Sequence, residues 1–523
     1  MKAVTCEQMR ELDRRTIAEA AIPGTVLMDR AGYRVAKAVR RLADAARPGR
    51  RSVIRLIAGR GNNGGDAFAA ARHLREADFD VEVWLAASAS AVQGDALDHL
   101  GRMRRAGVLL REFPGEKEWD AWPLPSSSEG VILVDGLLGT GSRGAPQGAV
   151  ARAIRWLNAA AANSLVVAID IPSGLDGDTG AAPGDAVVAD VTVTLAFPKV
   201  GLLQTRAVNY IGSLEVMDIG IPAAFAAGLS SELELIAAVD LRRFFGRRPN
   251  DAHKGTYGHV LLVGGAAGYA GAIAFAAQAA ARSGVGRVTA LVPTGIASTV
   301  AALVPEAMVH AAPQTESGSL AAGALEALFC DLGRFTSVLA GPGMTPHADT
   351  GRIVRHLLAG LRVPLILDAD ALNVLGQDFA PLRASAAAVV LTPHPGEMAR
   401  LMGCTNDGIQ ADRAGVVRRA AEQTRATIVL KGAGTLVAAA DTPLHVNLTG
   451  NPGMATGGMG DVLAGLIAGL AAQGMAPFDA ARAGVYLHGC AGDIAARRLS
   501  QAGMTAPDVI AALPAAFREL SAR

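Results

Sequence analysis

Two kinds of apolar spacing take turns along almost the whole chain: short runs rich in Val, Ile and Leu, and longer Ala-rich segments with amphipathic spacing. Short apolar runs bounded by Gly, Pro or Asp read as buried strands, and the amphipathic segments read as helices covering both faces of a mostly parallel sheet. In the first half, "SVIRLIAG", "DVEVWLA", "VILVDGLL", "LVVAIDIP" and "DVTVTLAF" predict strands. The second half resumes with "GHVLLVGG", "GRVTALVP", "SVLAGPGM", "PLILDADAL", "AAVVLTPHPGE" and "TIVLKGAGTLVAA", then a helix opened by "GGMGDVLAGLIAGL". Between them "PAAFAAGLSSELELIAAVDLRRFF" fits neither period, which places a boundary near residue 235. The fold class is therefore α/β, in two domains, 1–235 and 236–523, each a mostly parallel sheet flanked by helices.

Composition narrows the kinds of partner. The 523 residues carry a net charge of +1, and the one short basic cluster is "RRFFGRR" at 242–248, so neither nucleic acid nor a membrane surface has an electrostatic footprint. Small molecules are the expected ligands. Cys6, Cys330, Cys404 and Cys490 lie far apart without C-x-x-C spacing, which argues against a zinc site or disulfide framework and for a reducing, cytoplasmic setting. The N-terminus "MKAVTCEQMRELDRRTIAEA" is too charged for a signal peptide. The nearly uncharged stretch 264–284 is mostly Ala and Gly and reads as a glycine loop followed by a buried helix. Cores of small residues with exposed Ala-rich helices suit a homo-oligomer.

Candidate chemistry in the first half begins at "GRGNNGGD", where Gly59, Gly61 and Gly64 spell G-x-G-x-x-G between a strand and a helix. Such a turn lets backbone approach a ligand and offers helix N–H groups to an anion. A dinucleotide-binding oxidoreductase also needs an acid at the end of the next strand. Here that strand ends in Ala and Ser, with Asp80 and Glu82 at its start or within it. Instead Asn62, Asn63 and Asp66 crowd the turn, Asp135 ends the next run, and Asp170 with Ser173 ends the one after. Hard oxygen ligands at successive strand ends suit K⁺, Mg²⁺ or Ca²⁺ rather than a soft metal.

The motifs "QMRELDRRTI", "LMDRAG", "GRGNNGGDAF", "VDGLLGTGSRG", "AIDIPSGLDGDTG" and "TLAFPKVGLL", in this order, resemble the NAD(P)HX epimerase domain through nearly all of the first 220 residues. The resemblance implies a Rossmann-like fold and a substrate site made by Asn62, Asn63, Gly64, Gly65 and Asp66. A second substrate loop would be Gly139, Thr140, Gly141, Ser142, Arg143, Gly144 and Ala145. It further implies K⁺ bound by Asn63, Asp135 and Ser173, and Asp170 as the substrate-contacting acid/base that interconverts the C6 epimers of hydrated NADH or NADPH.

In the second half Gly264, Gly265 and Gly268 follow a strand, "GPGM" ends another, and "LTPHPGE" offers His394 and Glu397 between prolines. Lys431, Gly432 and Thr435 fall in a turn between two strands, and Gly457, Gly458 and Gly460 precede Asp461 at the start of an apolar helix. Backbone N–H groups of such a turn can cradle a transferring phosphoryl group while the carboxylate takes a proton from the attacking hydroxyl. There is no G-x-x-x-x-G-K-[ST], which excludes a Walker-type NTPase.

A GxGD turn of this kind resembles the ribokinase-like superfamily. Together, "KGTYGHVLLVGG", "AGPGM", "LDADALN", "LTPHPGE", "LKGAGT" and "GNPGMATGGMGDVLAG" look like the ADP- or ATP-dependent NAD(P)HX dehydratase over about residues 240–515. That resemblance implies adenine-nucleotide binding by Lys431, Gly432, Ala433, Gly434, Thr435 and Gly460. Ala272, Gly343, His394 and Asp461 would face the hydrated substrate, Asp461 as catalytic base, with Mg²⁺ accompanying ADP or ATP. Met459 departs from the Ser common in the family, at a position where the backbone N–H does the anion binding. The two resemblances imply a bifunctional nicotinamide-nucleotide repair enzyme, an isomerase and a lyase in one chain. The alternative is a C-terminal kinase for a vitamin-precursor alcohol beside a non-catalytic N-terminal binding module.

Overall fold

In a computed structural model, which describes residues 1–46, 52–126, 130–328 and 332–521, the chain forms two compact units. One is Lys2–Leu233; the other is Glu234–Arg523 together with Met1. Cys330 lies outside the described residues. Among the described residues no helix is long and apolar enough to cross a membrane.

The first unit is built on β1 (Val53–Ala58), β2 (Asp80–Leu85), β3 (Leu109–Glu112), β4 (Val131–Gly136), β5 (Ser164–Ile169), β6 (Val191–Leu195) and β7 (Ser213–Met217). These form a wholly parallel sheet in the order β3-β2-β1-β4-β5-β6-β7. Strands buried on both faces must be apolar throughout, and β4, "VILVDG", is buried at every position. One face packs Phe68, Leu74, Val35 and Leu100 from the covering helices; the other packs Trp84, Phe113, Trp119 and Trp156. Glu82 lies within β2 and is taken by Arg55 at 2.7 Å and Arg111 at 3.2 Å. The strands β3 and β7 lack an apolar run because they are edge strands with exposed or half-buried positions. Between β1 and β4 the strand order reverses, the place where ligands bind in open α/β sheets.

The second unit carries β8 (Leu233–Leu235, which begins at the boundary residue), β9 (His259–Val263), β10 (Arg287–Pro293), β11 (Met308–Ala312), β12 (Ser337–Ala340) and β13 (Leu365–Leu367). It continues with β14 (Val389–Leu391), β15 (Thr427–Leu430), β16 (Thr435–Ala438) and β17 (Leu444–Asn447). Their order is β11-β10-β9-β12-β13-β14-β15-β16-β17-β8. The strands from β9 to β15 pair in parallel, whereas β16 runs antiparallel to both β15 and β17. The stretch 264–284 is a glycine loop followed by the helix Ala270–Arg282. It packs on the helix Met459–Ala472 so closely that a Cβ on Gly465 would lie 2.1 Å from the Ala276 carbonyl oxygen. The abundance of Ala and Gly thus has a packing cause.

Candidate active sites

In the first unit the turn after β1 is pinned to the loop after β4: the Gly59 N–H donates to the Gly136 carbonyl at 3.0 Å. Side chains are excluded at this crossing. A Cβ on Gly59 would lie 2.0 Å from the Leu137 oxygen, and one on Gly64 would lie 1.8 Å from the Gly59 oxygen. Gly61 has open space, and the helix Asn62–Glu76 starts directly after it.

A cleft of about 870 Å³ opens above these loops and is lined by Asn62, Asn63, Asp66, Gly139, Thr140, Gly141, Ser142 and Asp170, among others. The remaining expected substrate residues stand apart from its walls. Gly64 and Gly65 pack inward, Gly65 against Met28; Ala145 faces Gly184, and the Arg143 charge reaches Asp176.

Asn63, Asp135 and Ser173 converge beneath the cleft. Ser173 donates from Oγ to Asp135 Oδ1 at 2.6 Å and from its backbone N–H to Oδ2 at 2.8 Å. Asn63 Nδ2 donates to the carbonyls of Leu138 at 2.8 Å and Ile169 at 3.2 Å, and the Leu138 N–H donates to Ser173 Oγ at 2.8 Å. Asp135 is fully buried, and burial, only partly offset by the Ser173 and Leu137 hydrogen bonds, pushes its carboxyl up to about 6. No basic side chain shares that offset.

Asp170 follows β5 in the left-handed region, φ +64°. Its Oδ1 accepts from the Leu195 N–H at 3.1 Å, from Thr194 Oγ1 at 3.3 Å and from the Lys199 ammonium. Lys199 and Asp13 also line the cleft and were not among the expected site residues. Both sit inside the quoted motifs "TLAFPKVGLL" and "QMRELDRRTI", but nothing in spacing shows that the chain folds them onto Asp170. Burial raises Asp13 to about 6 against the pull of Lys199. Asp66 is held well above the usual carboxylate range by burial and by the charges of Asp170 and Asp13.

The second unit gathers its loops at the carboxyl ends of β9 and β12 to β15. A Cβ on Gly343 would lie 3.2 Å from the Ala272 Cβ, and one on Gly341 would lie 1.7 Å from the Asp368 carbonyl oxygen. Asp368 accepts from Lys431 Nζ at 2.7 Å and from Thr392 Oγ1 at 2.7 Å. Glu397 lies 3.7 Å from the same ammonium. Its carboxylate also accepts from the His394 N–H at 2.7 Å, while His394 Nδ1 caps the helix Pro395–Met402 by accepting from Gly396 N at 2.9 Å. Burial and the nearby Lys431 charge lower His394 below the ordinary imidazole range.

Gly458 takes φ +86° to open the helix Met459–Ala472, whose first turn holds Gly460 and Asp461. A Cβ on Gly460 would lie 3.1 Å from Lys431 Nζ. The β15–β16 turn and the helix start are thus neighbours. Arg413, buried, supports that turn by donating to the carbonyls of Leu430 at 3.4 Å, Lys431 at 3.4 Å and Gly434 at 3.5 Å. Gly432 and Ala433 are left exposed at its tip. Burial, reinforced by Asp368 and only partly countered by Lys431, raises Asp461 to about 7. A carboxyl poised there at a helix N-terminus, beside a lysine and free backbone N–H groups, can move a proton next to a phosphoryl group.

Two such sites in one chain define a two-chemistry α/β enzyme. Residues 24–201 match the family described as YjeF-related protein N-terminus, and residues 260–515 match NAD(P)H-hydrate dehydratase. The chain is 42% identical to the bifunctional NAD(P)H-hydrate repair enzyme Nnr of Moorella thermoacetica over 520 residues, 99% of this chain and 97% of that one. It is 35% identical to the Nnr of Escherichia coli K12, over 88% of this chain and 84% of that one. A solved structure, the ADP/ATP-dependent NAD(P)H-hydrate dehydratase from Bacillus subtilis co-crystallised with ATP and Mg²⁺, is 29% identical with a TM-score of 0.48, covering 55% of this chain and 98% of that one. The chain belongs to the bifunctional NAD(P)H-hydrate repair enzymes. A kinase beside an inert binding module is not the reading these relatives favour.

Proposed function

We propose that the N-terminal unit interconverts the R and S epimers at C6 of hydrated NADH or NADPH, and that the C-terminal unit dehydrates the S epimer using ADP or ATP with Mg²⁺. The observation that carries the second half is Asp461, a carboxyl raised to about 7 at the start of a helix and within the field of Lys431. Asp461 takes the proton of the C6 hydroxyl, whose oxygen attacks the terminal phosphorus of the nucleotide as the bridging P–O bond breaks with its electron pair on the departing AMP (from ADP) or ADP (from ATP). Phosphate then leaves with the C6–O electron pair as a C5 proton is lost, and the ring double bond of NAD(P)H returns. The turn Lys431 to Thr435 and the Gly460 N–H hold the nucleotide, and Ala272, Gly343 and His394 face the dinucleotide.

In the N-terminal unit Asp170 serves the proton transfer that inverts C6, with Asn62, Asn63, Asp66 and Gly139 to Ser142 around the substrate. Asn63, Asp135 and Ser173 fit K⁺: they offer one buried carboxylate with no basic partner among the described residues, one hydroxyl and one amide oxygen, an all-oxygen set of low charge. Bound there, K⁺ neutralises Asp135 and stiffens the loops after β4 and β5.

The test uses the purified R epimer. Without nucleotide, chromatography follows its conversion to S; on adding ADP or ATP with Mg²⁺, absorbance in the reduced-nicotinamide band rises. A flat absorbance trace once S has formed refutes the dehydratase half, and a persistent R epimer refutes the epimerase half.

A further inference from the structure

Lys199 has no part in the reading above. It is 0% exposed, and its Nζ meets three acceptors: Asp170 Oδ1, Thr194 Oγ1 at 3.2 Å and the Leu195 carbonyl at 3.0 Å. A neutral amine has two donors and an ammonium three, so this set is complete only for the charged form. On Asp170 every side-chain contact falls on one oxygen. Oδ1 accepts from Lys199, from the Leu195 N–H and from Thr194, while Oδ2 has no protein partner among the described residues. One oxygen is anchored and the other is left to the cleft that Asp170 lines.

Asp13 and Asp66 line the same cleft, and neither makes a side-chain hydrogen bond among the described residues. The ionisable groups facing Asp170 are Cys6 and Asp13 on the first helix, Asp66 on the helix Asn62–Glu76, and Lys199. Arg10, Arg60 and Asp95 line the cleft as well. Three carboxyls sharing one buried cation cannot all ionise. The cation is committed by contact to Asp170.

We propose that Lys199 sets the direction of proton transfer in the epimerase site, holding Asp170 as the carboxylate that accepts a proton and leaving Asp66, with Asp13, as the acid that gives one. This rests on the epimerase reading. The C6 carbon of the hydrate bears both the hydroxyl and the ring nitrogen. A proton passes from Asp66 to the hydroxyl, and the C6–O bond breaks with its electron pair leaving in water. The nitrogen lone pair forms a C=N bond. Water adds to the opposite face, its proton goes to Asp170 Oδ2, and nitrogen recovers its pair. The transferred proton returns to Asp66 through water in the open cleft, so nothing is oxidised or consumed. The raised carboxyls of Asp66 and Asp13 agree with this division.

Epimerisation by the full chain without nucleotide, fitted for kcat and KM, is the assay. With Lys199→Met kcat falls by about 100-fold or more while KM stays within about twofold of the wild type, because Asp170 has lost its cation and the substrate contacts remain. Lys199→Arg keeps the charge beside Asp170 and recovers most of kcat. A merely structural lysine would raise KM as much as it lowers kcat, or would leave Lys199→Arg as slow as Lys199→Met, and either outcome, or a wild-type rate in Lys199→Met, overturns the proposal. Should Lys199→Met fail to fold, Asp66→Asn decides: a loss of about 100-fold in kcat with KM unchanged supports it, and a wild-type kcat overturns it. If the wild-type chain does not epimerise, the epimerase reading itself fails instead.

Discussion

At the scale of single residues, the second site turns on Asp461. Burial and Asp368 outweigh the attraction of Lys431 and push its carboxyl from the ordinary 3.8 up to about 7. A base must be ionised to act, so dehydration rises with pH through about 7. The folded state binds this proton more tightly than the unfolded one, so the stabilisation from Asp461 is complete below the unfolded value and is lost as pH rises through about 7. Asp461→Asn therefore melts above the wild type near pH ~8, while it cuts dehydration by about two orders of magnitude or more and still binds nucleotide. A melting curve and a nucleotide titration check both halves. The motif "GGMGD" makes Asp461 and Gly460 legible, since a glycine turn opening a helix is a local feature. Lys199, Asp13 and Asp368 were not legible as site residues, because their meaning lies in long-range contacts: Lys199 reaches back 29 residues to Asp170, and Lys431 reaches back 63 to Asp368.

At the scale of elements, the G-x-G-x-x-G turn separates into parts that the pattern treats as equal. Gly59 and Gly64 are glycines because backbone oxygens stand where a Cβ would go, whereas Gly61 faces open space. Gly64→Ala should destabilise the first unit by about 1–3 kcal/mol, the usual range for overpacking, and Gly61→Ala should leave its stability nearly unchanged. Tryptophan emission during denaturation reads this directly, since all four tryptophans, Trp84, Trp119, Trp122 and Trp156, cluster in that unit. Equal loss in both variants would mean the turn is crowded for another reason. Buried strands such as β4 announce themselves by continuous apolar runs. The edge strands β3, "LLRE", and β7, "SLEVM", do not, because their half-exposed positions admit charges that break the run.

At the scale of the whole molecule, the chain joins a site that moves a proton at C6 to a site that removes the C6 hydroxyl, so both epimers of a damaged cofactor drain to one product. The pattern of alternating runs carries the two-sheet architecture, and the chain passes from one compact unit to the other between Leu233 and Glu234. The turn read between two strands at Lys431 to Thr435 is the antiparallel reversal from β15 to β16, whereas β17, only Leu444–Asn447, is too short to stand out by hydrophobic period.

The most direct measurement is the final yield of reduced nicotinamide from a known mixture of R and S hydrates, with ADP or ATP and Mg²⁺, for the wild type, Asp170→Ala and Asp461→Asn. The wild type converts the whole mixture, Asp170→Ala stops at the share that was S at the start, and Asp461→Asn forms almost none while still equilibrating R with S. Complete conversion by Asp170→Ala, or undiminished product from Asp461→Asn, would contradict the assignment of one reaction to each unit.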